Sequence, residues 1–356
     1  MAKTYLTPQA FRVALNQAAK KMAKETGMNV SELMRIFYFN RLAARVFTHD
    51  PDGWLIKGGQ ALLVRYRGAA RLSGDIDLQA TQPDLTPDEA LKRVLEAATY
   101  DLKDFLRFAP GKYTTAADPN RGGSQYFTVY LGNTRVDNVK VDIAVRRTLT
   151  GTPETSPLMS AVDLPWPVDW PTVRLYPLID HIADKVCALY ERHGDNTSSR
   201  YRDLADLLLI SQQEEVDGRT AYLALHQEAD QRRQRGTDLT LPKAFETPGP
   251  AWPDGYPAAA ALVIGLQGCR TFAEAAQAAE TFLNPLLDGS VQGTWNPTHA
   301  SWQSQRTEPC HRQPRQPLPA CSSNPQEQLP GTRPDETCPI PYAGPTARPT
   351  FPPTTV

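Results

Sequence analysis

GGQALLVRYRGAARLSGDIDLQA, residues 58 to 80, decides how the rest of the chain is read. It ends in an alternating run, GDIDLQA, which puts Asp75 and Asp77 on one face of a strand and Ile76 and Leu78 on the other. Two carboxylates at i and i+2 aim at one point and repel unless a cation sits between them. A divalent metal answers that need. Magnesium prefers carboxylate and phosphate oxygens, and two such ions can bridge a triphosphate and activate an attacking hydroxyl. Gly58 and Gly59, the latter sixteen residues before Asp75, would let backbone amides approach phosphate oxygens with no side chain in the way.

A DxD pair at a strand end reads equally as a solvated edge or a turn. The balance shifts at VKVDIAV, residues 139 to 145, where Asp142 shares a face with Lys140 and Ala144 while Val139, Val141, Ile143 and Val145 face the other way. If the two strands are neighbours, three acids converge.

Working outward, Thr7-Pro8 caps a helix running to about Lys24, and Ser31 starts a second that stops before the turn-rich HDPDG at 49–53. WLIKGGQALLVRY from Trp54 reads as a short buried start, a glycine turn and a helix to about Tyr66. Thr86-Pro87-Asp88-Glu89 opens a long helix expected to reach about Phe108, and QYFTVYL at 125–131 joins VKVDIAV as a strand. After the prolines of TPETSP and LPWPVDWP, helical spacing returns over Leu178–Glu191, Tyr201–Gln213, Thr220 to about Arg235, and Thr271–Leu287.

The fold class that follows is α+β: a helical arm at 1–50, a mixed core at 51–150, a proline-rich linker at 151–172, an all-helical domain at 173–303 and a tail at 304–356. Fourteen of the chain's 32 prolines lie between Val291 and Val356 among many Gln, Thr and Ser. Such a stretch buries too little surface to repay its ordering entropy, so the tail is expected to be disordered.

Of 356 residues, 40% are hydrophobic and 22% charged, an ordinary globular balance. No run approaches the roughly 18–20 apolar residues that span a bilayer, and MAKTYLTPQAFRVALNQAAKK lacks a secretory apolar segment. A soluble, cytoplasmic protein is expected, with no membrane partner. Cys187, Cys269, Cys310, Cys321 and Cys338 are odd in number and show no CxxC spacing, which points to reduced thiols without zinc or redox work. A formal net charge of −1 gives no basic field, so a nucleic-acid partner would have to be met by a local patch.

GGQALLVRYRGAARLSGDIDLQA resembles the glycine-pair, Arg-x-Ser-x-Asp-Ile-Asp signature of the AbiEii/AbiGii toxin-type nucleotidyltransferases, a branch of the polymerase beta superfamily from abortive-infection and toxin–antitoxin systems. LIDHIADKVCALYER resembles that family's lysine-bearing helix, YRDLADLLLI its Arg-Asp-x-x-Asp-Leu helix, and TWNPTHASW its closing tryptophan segment. The resemblance spans about 40–302. It departs at Gln60, where the family shows a serine, threonine or small residue soon after the glycine pair.

The resemblance implies a polymerase-beta-like core with a mixed sheet. By position it makes Ser73 a phosphate contact, Asp75 and Asp77 metal ligands, Lys185 a triphosphate or acceptor contact, and Asp203 a second acid of the catalytic site. Spacing bears on the last two. Lys185 lies at the edge of the stripe made by Leu178, Ile182 and Leu189, and Asp203 shares one with Leu207 and Ile210. A carboxylate there needs a partner, which Lys185 or Arg202 could supply. A snorkelling lysine and an acid serving the helix dipole are the plainer alternatives. Asp206 projects more to the side and reads equally as a site acid or as a structural partner for Arg202, and Arg71 reads as a phosphate contact or as part of a solvated basic face with Arg65 and Arg67. His181 and His193 bracket the lysine helix without metal-ligand spacing.

The implied activity is transfer of a nucleoside monophosphate from an NTP to an acceptor hydroxyl, with magnesium on Asp75, Asp77 and Asp142. The implied acceptor is the tRNA 3′ end and the implied regulator a cognate antitoxin protein. Arg192, Arg200, Arg202 and the QRRQR run at 231–235 could meet RNA, or form a solvated face. The alternatives are transfer to a small molecule of the antibiotic type and a non-catalytic NTP-binding module.

Overall fold

In a computed structural model the described residues are 5–160, 162–164, 170–192, 194 and 197–304. Helix α1 (Pro8–Thr26) starts at Thr7, whose hydroxyl accepts the Ala10 amide, and stops at Gly27 in the left-handed region. Helix α2 (Val30–His49) is buried along nearly all of Ile36–Phe47. Strand β1 (Trp54–Lys57) runs directly into α3 (Gly58–Tyr66), followed by β2 (Ile76–Ala80) and α4 (Pro87–Ala98). Then come β3 (Leu106–Thr115), β4 (Gly122–Leu131), β5 (Thr134–Ala144), β6 (Glu154–Pro157) and β7 (Thr172–Leu175).

These strands form one mixed sheet in the order β3-β4-β5-β2-β1-β7-β6. β5 lies parallel to β2 and β1 parallel to β7, while the remaining pairs are antiparallel. The stretch 151–172 thus contributes β6 and the start of β7 to the core sheet. The helix expected to reach Phe108 ends at Ala98. Lys103 and Phe105 take left-handed φ of 56° and 57°, Asp104 turns in toward Arg41 and Arg45, and the chain re-enters the sheet as β3.

The second half contains α5 (Leu178–Tyr190), β8 (Glu191–Arg192), α6 (Tyr201–Gln213), β9 (Val216–Asp217) and α7 (Gly218–Gln234). It continues through β10 (Asp238–Leu239), α8 (Trp252–Ala261), α9 (Phe272–Asp288), β11 (Thr294–Asn296) and β12 (Ser301–Gln303). It is mainly helical but not all-helical: β8 pairs with β10, and β9, β11 and β12 make a small sheet. There the Trp295 indole donates to the Ser211 carbonyl at 2.7 Å, and the Trp302 indole donates to that of Phe282 at 3.1 Å.

One apolar core lies between the sheet and α1, α2 and α4, and a second lies among α5 to α9. Helix α3 sits between them, with Ala61 in the first and Leu62 in the second. Among the described residues no helix is long and apolar enough to cross a membrane. Cys187 is buried and Cys269 half-buried, both free; Cys310, Cys321, Cys338 and the tail expected at 304–356 lie outside the described residues beyond 304.

Candidate active site

Strand register makes the first part of the site. Lys57 on β1 stands opposite Asp77 on β2, which stands opposite Asp142 on β5, so three charged side chains form one row across the sheet. Asp75 immediately precedes β2. The Ser73 hydroxyl donates to Asp75 Oδ1 at 3.2 Å, and the Ser124 hydroxyl donates to Asp142 Oδ1 at 2.5 Å. The Lys140 ammonium bridges the other oxygens, at 2.7 Å from Asp142 Oδ2 and 3.5 Å from Asp75 Oδ2.

Asp77 differs, because its carboxylate accepts no hydrogen bond among the described residues. Burial pushes its pKa up to about 7, with Lys57 opposing and Asp75, Asp142 and Asp184 adding to the rise. Gly58 makes room for it. A Cβ there would lie 1.9 Å from Asp77 Oδ2, and Gly58 also has φ of +62°, so glycine is required twice over.

Helices α5 and α6 supply the second part. The Lys185 Nζ donates to Asp203 Oδ1 at 2.8 Å and to Asp206 Oδ2 at 2.6 Å. Arg71 grips the same Asp206 with two bonds, Nε at 3.1 Å and Nη2 at 2.8 Å. Burial alone would lower the lysine's pKa, but Asp203 and Asp206 more than offset that and hold it above its ordinary value, so the amine stays charged. Asp203 therefore takes Lys185 as its partner, and Asp206 pairs with Arg71 and Lys185 rather than with Arg202.

A third cluster escapes sequence reasoning. Asp184, beside Lys185 on α5, receives Arg147 at 2.6 Å and Arg232 at 2.8 Å, and both arginines also reach Glu228. Despite burial, Arg147, Lys57 and Arg232 hold the Asp184 carboxyl well below the usual range. Arg232, read as one of the basic residues of the 231–235 run, is thereby committed to Asp184, Glu191 and Glu228. Its only sequence signal was the i,i+4 spacing from Glu228. Arg192, Arg200 and Arg202 are exposed. Gln60, the departure from the family pattern, is buried and donates to Asn40 Oδ1 at 2.8 Å. His181 is buried against Tyr176, and His193 lies outside the described residues.

All three clusters open onto one cleft of about 1150 Å³ between the sheet and the helical half. Gly58, Gly59, Arg71, Ser73, Asp75, Asp77, Asp142, Lys185 and Asp203 all line it, so every residue picked from the sequence for the site meets there. Tyr201, Gly255, Ala258, Ala259 and Leu262 give it an apolar wall. The donor set suits a hard, oxygen-seeking cation, because carboxylates converge and one of them has no partner. As the side chains stand, no three His, Cys, Asp or Glu groups among the described residues are drawn close enough to hold one, and Lys140 fills the gap between Asp75 and Asp142.

The mixed sheet carries Asp77 and Asp142, with Asp75 just before β2, beside a helix that starts at Gly58, an arrangement that fits a nucleotidyltransferase. Residues 41–278 match the family model of the nucleotidyl transferase AbiEii toxin of type IV toxin–antitoxin systems, and the chain belongs to that family. Among solved structures it is similar to the nucleotidyltransferase toxin MenT4 of Mycobacterium tuberculosis, at 15% identity over 76% of this chain and 97% of that one, with a TM-score of 0.46. It is also similar to a protein from H. pylori described as a nucleotidyltransferase, at 16% identity over 70% of this chain and 92% of that one, with a TM-score of 0.38. No curated protein gives a significant match.

Proposed function

We propose that this toxin-family nucleotidyltransferase uses magnesium to move a nucleoside monophosphate from an NTP to an acceptor hydroxyl, with the tRNA 3′ end as the acceptor, in the cytoplasm and under control of a cognate antitoxin. The observation that carries it is the row Lys57, Asp77, Asp142 with Asp75 beside it, facing Lys185 and Arg71 across one cleft. Held by Asp75, Asp77 and Asp142, magnesium would neutralise triphosphate charge and lower the pKa of the attacking hydroxyl.

The chain's own groups supply the rest. Gly58 and Gly59 at the start of α3 present amides to phosphate with no side chain to block them. Ser73 fixes the Asp75 carboxylate through its hydroxyl and stands beside Gly59. Asp203 and Asp206 pin Lys185 so that its charge is aimed before substrate arrives, which costs no reorganisation when negative charge builds on the departing pyrophosphate. Asp142 positions the acceptor hydroxyl or takes its proton. Exposed Arg200 and Arg202 on the cleft lining suit an RNA acceptor's backbone.

Incubation with each alpha-labelled NTP, magnesium and total cellular RNA tests this, beside Asp75→Ala. Label entering tRNA-sized RNA only with the intact protein is the expected result. No transfer from any NTP by folded protein would overturn it in favour of a small-molecule acceptor or a binding module.

A further inference from the structure

Hydrogen-bond accounting at the carboxylates is almost complete without any metal. Asp75 is shared by Ser73 and Lys140, and Asp142 by Ser124 and Lys140. Only Asp77 is left open. Lys140 sits two residues before Asp142 on the same face of β5, and with about a third of its side chain exposed it stands at the cleft's edge rather than inside a core. A lysine there is a compact charge on a flexible four-carbon stem, able to leave one anion for another nearby.

We propose that Lys140 is an internal counter-cation that occupies the gap between Asp75 and Asp142 until a divalent ion displaces it, and that it then turns to the incoming triphosphate. The proposal rests on the metal-dependent reading above and adds the order of events. A metal entering alone has to expel the ammonium and leaves two like charges side by side with no anion to receive the displaced one. A metal entering with a nucleotide brings that anion. Metal and nucleotide therefore bind as a pair, and the protein without nucleotide takes up metal weakly. No covalent step is involved, and Lys140 keeps its proton throughout.

Titration of free Mn²⁺ by electron paramagnetic resonance tests this directly, with and without a non-hydrolysable NTP analogue, on the full chain and on Lys140→Met, Lys140→Arg and Lys57→Met. Without nucleotide, Lys140→Met is expected to bind Mn²⁺ at least about fivefold more tightly than the parent, the lower end of ordinary coupling between sites. Lys140→Arg, which keeps the charge in place, is expected to stay weak. Lys57→Met removes a cation that stands opposite Asp77 in the sheet and makes no ion pair among the described residues, and is expected to change the affinity less. Melting curves establish that each variant is folded.

Equal Mn²⁺ affinity in the parent and Lys140→Met overturns the proposal while leaving the metal-dependent reading intact. An effect of Lys57→Met as large as that of Lys140→Met also overturns it, since general charge and not occupancy would then be responsible. Absence of Mn²⁺ binding to every protein, even with the analogue, removes both the proposal and the reading beneath it.

Discussion

Two groups of charged side chains, one around Asp104 and one around Asp75, Asp77 and Asp142, sit against the same sheet and are treated in opposite ways. Behind it, Asp104 receives Arg41 Nε at 2.7 Å and Arg45 Nη2 at 2.6 Å, and accepts the Leu106 amide at 3.0 Å. Arg41 lies over the Trp170 ring and Arg45 over that of Phe108. In the cleft, Asp75 and Asp142 share Lys140, and Asp77 bonds to nothing among the described residues. The first cluster is closed, with every oxygen aimed at a partner from the same chain. The difference lies in the pairing: Asp104 is met by two arginines, whereas Asp77 accepts no hydrogen bond among the described residues.

The largest effect that can break this comparison is at the closed cluster. Asp104→Asn removes the carboxylate that Arg41 and Arg45 share and is expected to cost about 3–5 kcal/mol, read by chemical denaturation. A cost within error of zero would show that the triad is replaceable and the contrast empty. Next, Asp75→Asn is expected to lower kcat by roughly 10²-fold or more while the melting temperature stays near that of the parent. A variant that melts several degrees lower would mean the cleft carboxylates also carry the fold.

Acid titration sharpens the contrast because the two signs differ. For Asp104, burial would raise the pKa, but Arg45 and Arg41 overcome it and leave the value depressed. Its contribution is present above the ordinary carboxylate range and is lost as pH falls through the depressed value. Asp77 has its pKa raised to about 7, so the stability of its neutral form is present at low pH and fades as pH rises through that value. In chelator, Asp77→Asn is therefore expected to melt above the parent at about pH 8 and level with it near pH 4. Parallel melting curves across that range would contradict the assignment. The smallest effect is expected from ending the chain after Ser304, which keeps the Trp302 bond to the Phe282 carbonyl. Activity and melting should both be unchanged, and lost activity would place part of the site beyond 304.

How legible all this was depended on how local the signal is. Asp77 and Asp142 could be read because a period of two fixes which face a strand residue takes, and the parallel pairing of β2 with β5 sets them side by side, while Asp75, read as a strand residue, lies just before β2. For Asp203 an apolar stripe required a partner and left Lys185 and Arg202 both open, and the partner is Lys185. Strand β3 could not be read, since TPDEALKRVLEAATYDLKDFLRF keeps helical spacing past the point where Asp104 is pulled away by arginines about 60 positions earlier in the chain. Helix α8 was hidden by Pro253 and Pro257, which read as breakers although one lies in the first turn and the other inside the helix. Arg232 looked like solvated surface because its partner Asp184 comes from another helix.

The cleft lining runs from Lys57 to Leu262 in the sequence, and neither half of the molecule owns it. A nascent chain leaves the ribosome N-terminus first at about 5–20 residues per second. It therefore displays its carboxylate row well before α5, α6 and α8 arrive to cover it. On the proposed function a chain is incomplete for the first half of its synthesis, and a truncated product ending between Asp142 and Lys185 has the acids but not the lysine. If Lys185 acts as proposed, premature termination anywhere in the first half of the message yields fragments without activity, a form of safety written into the order in which the parts emerge.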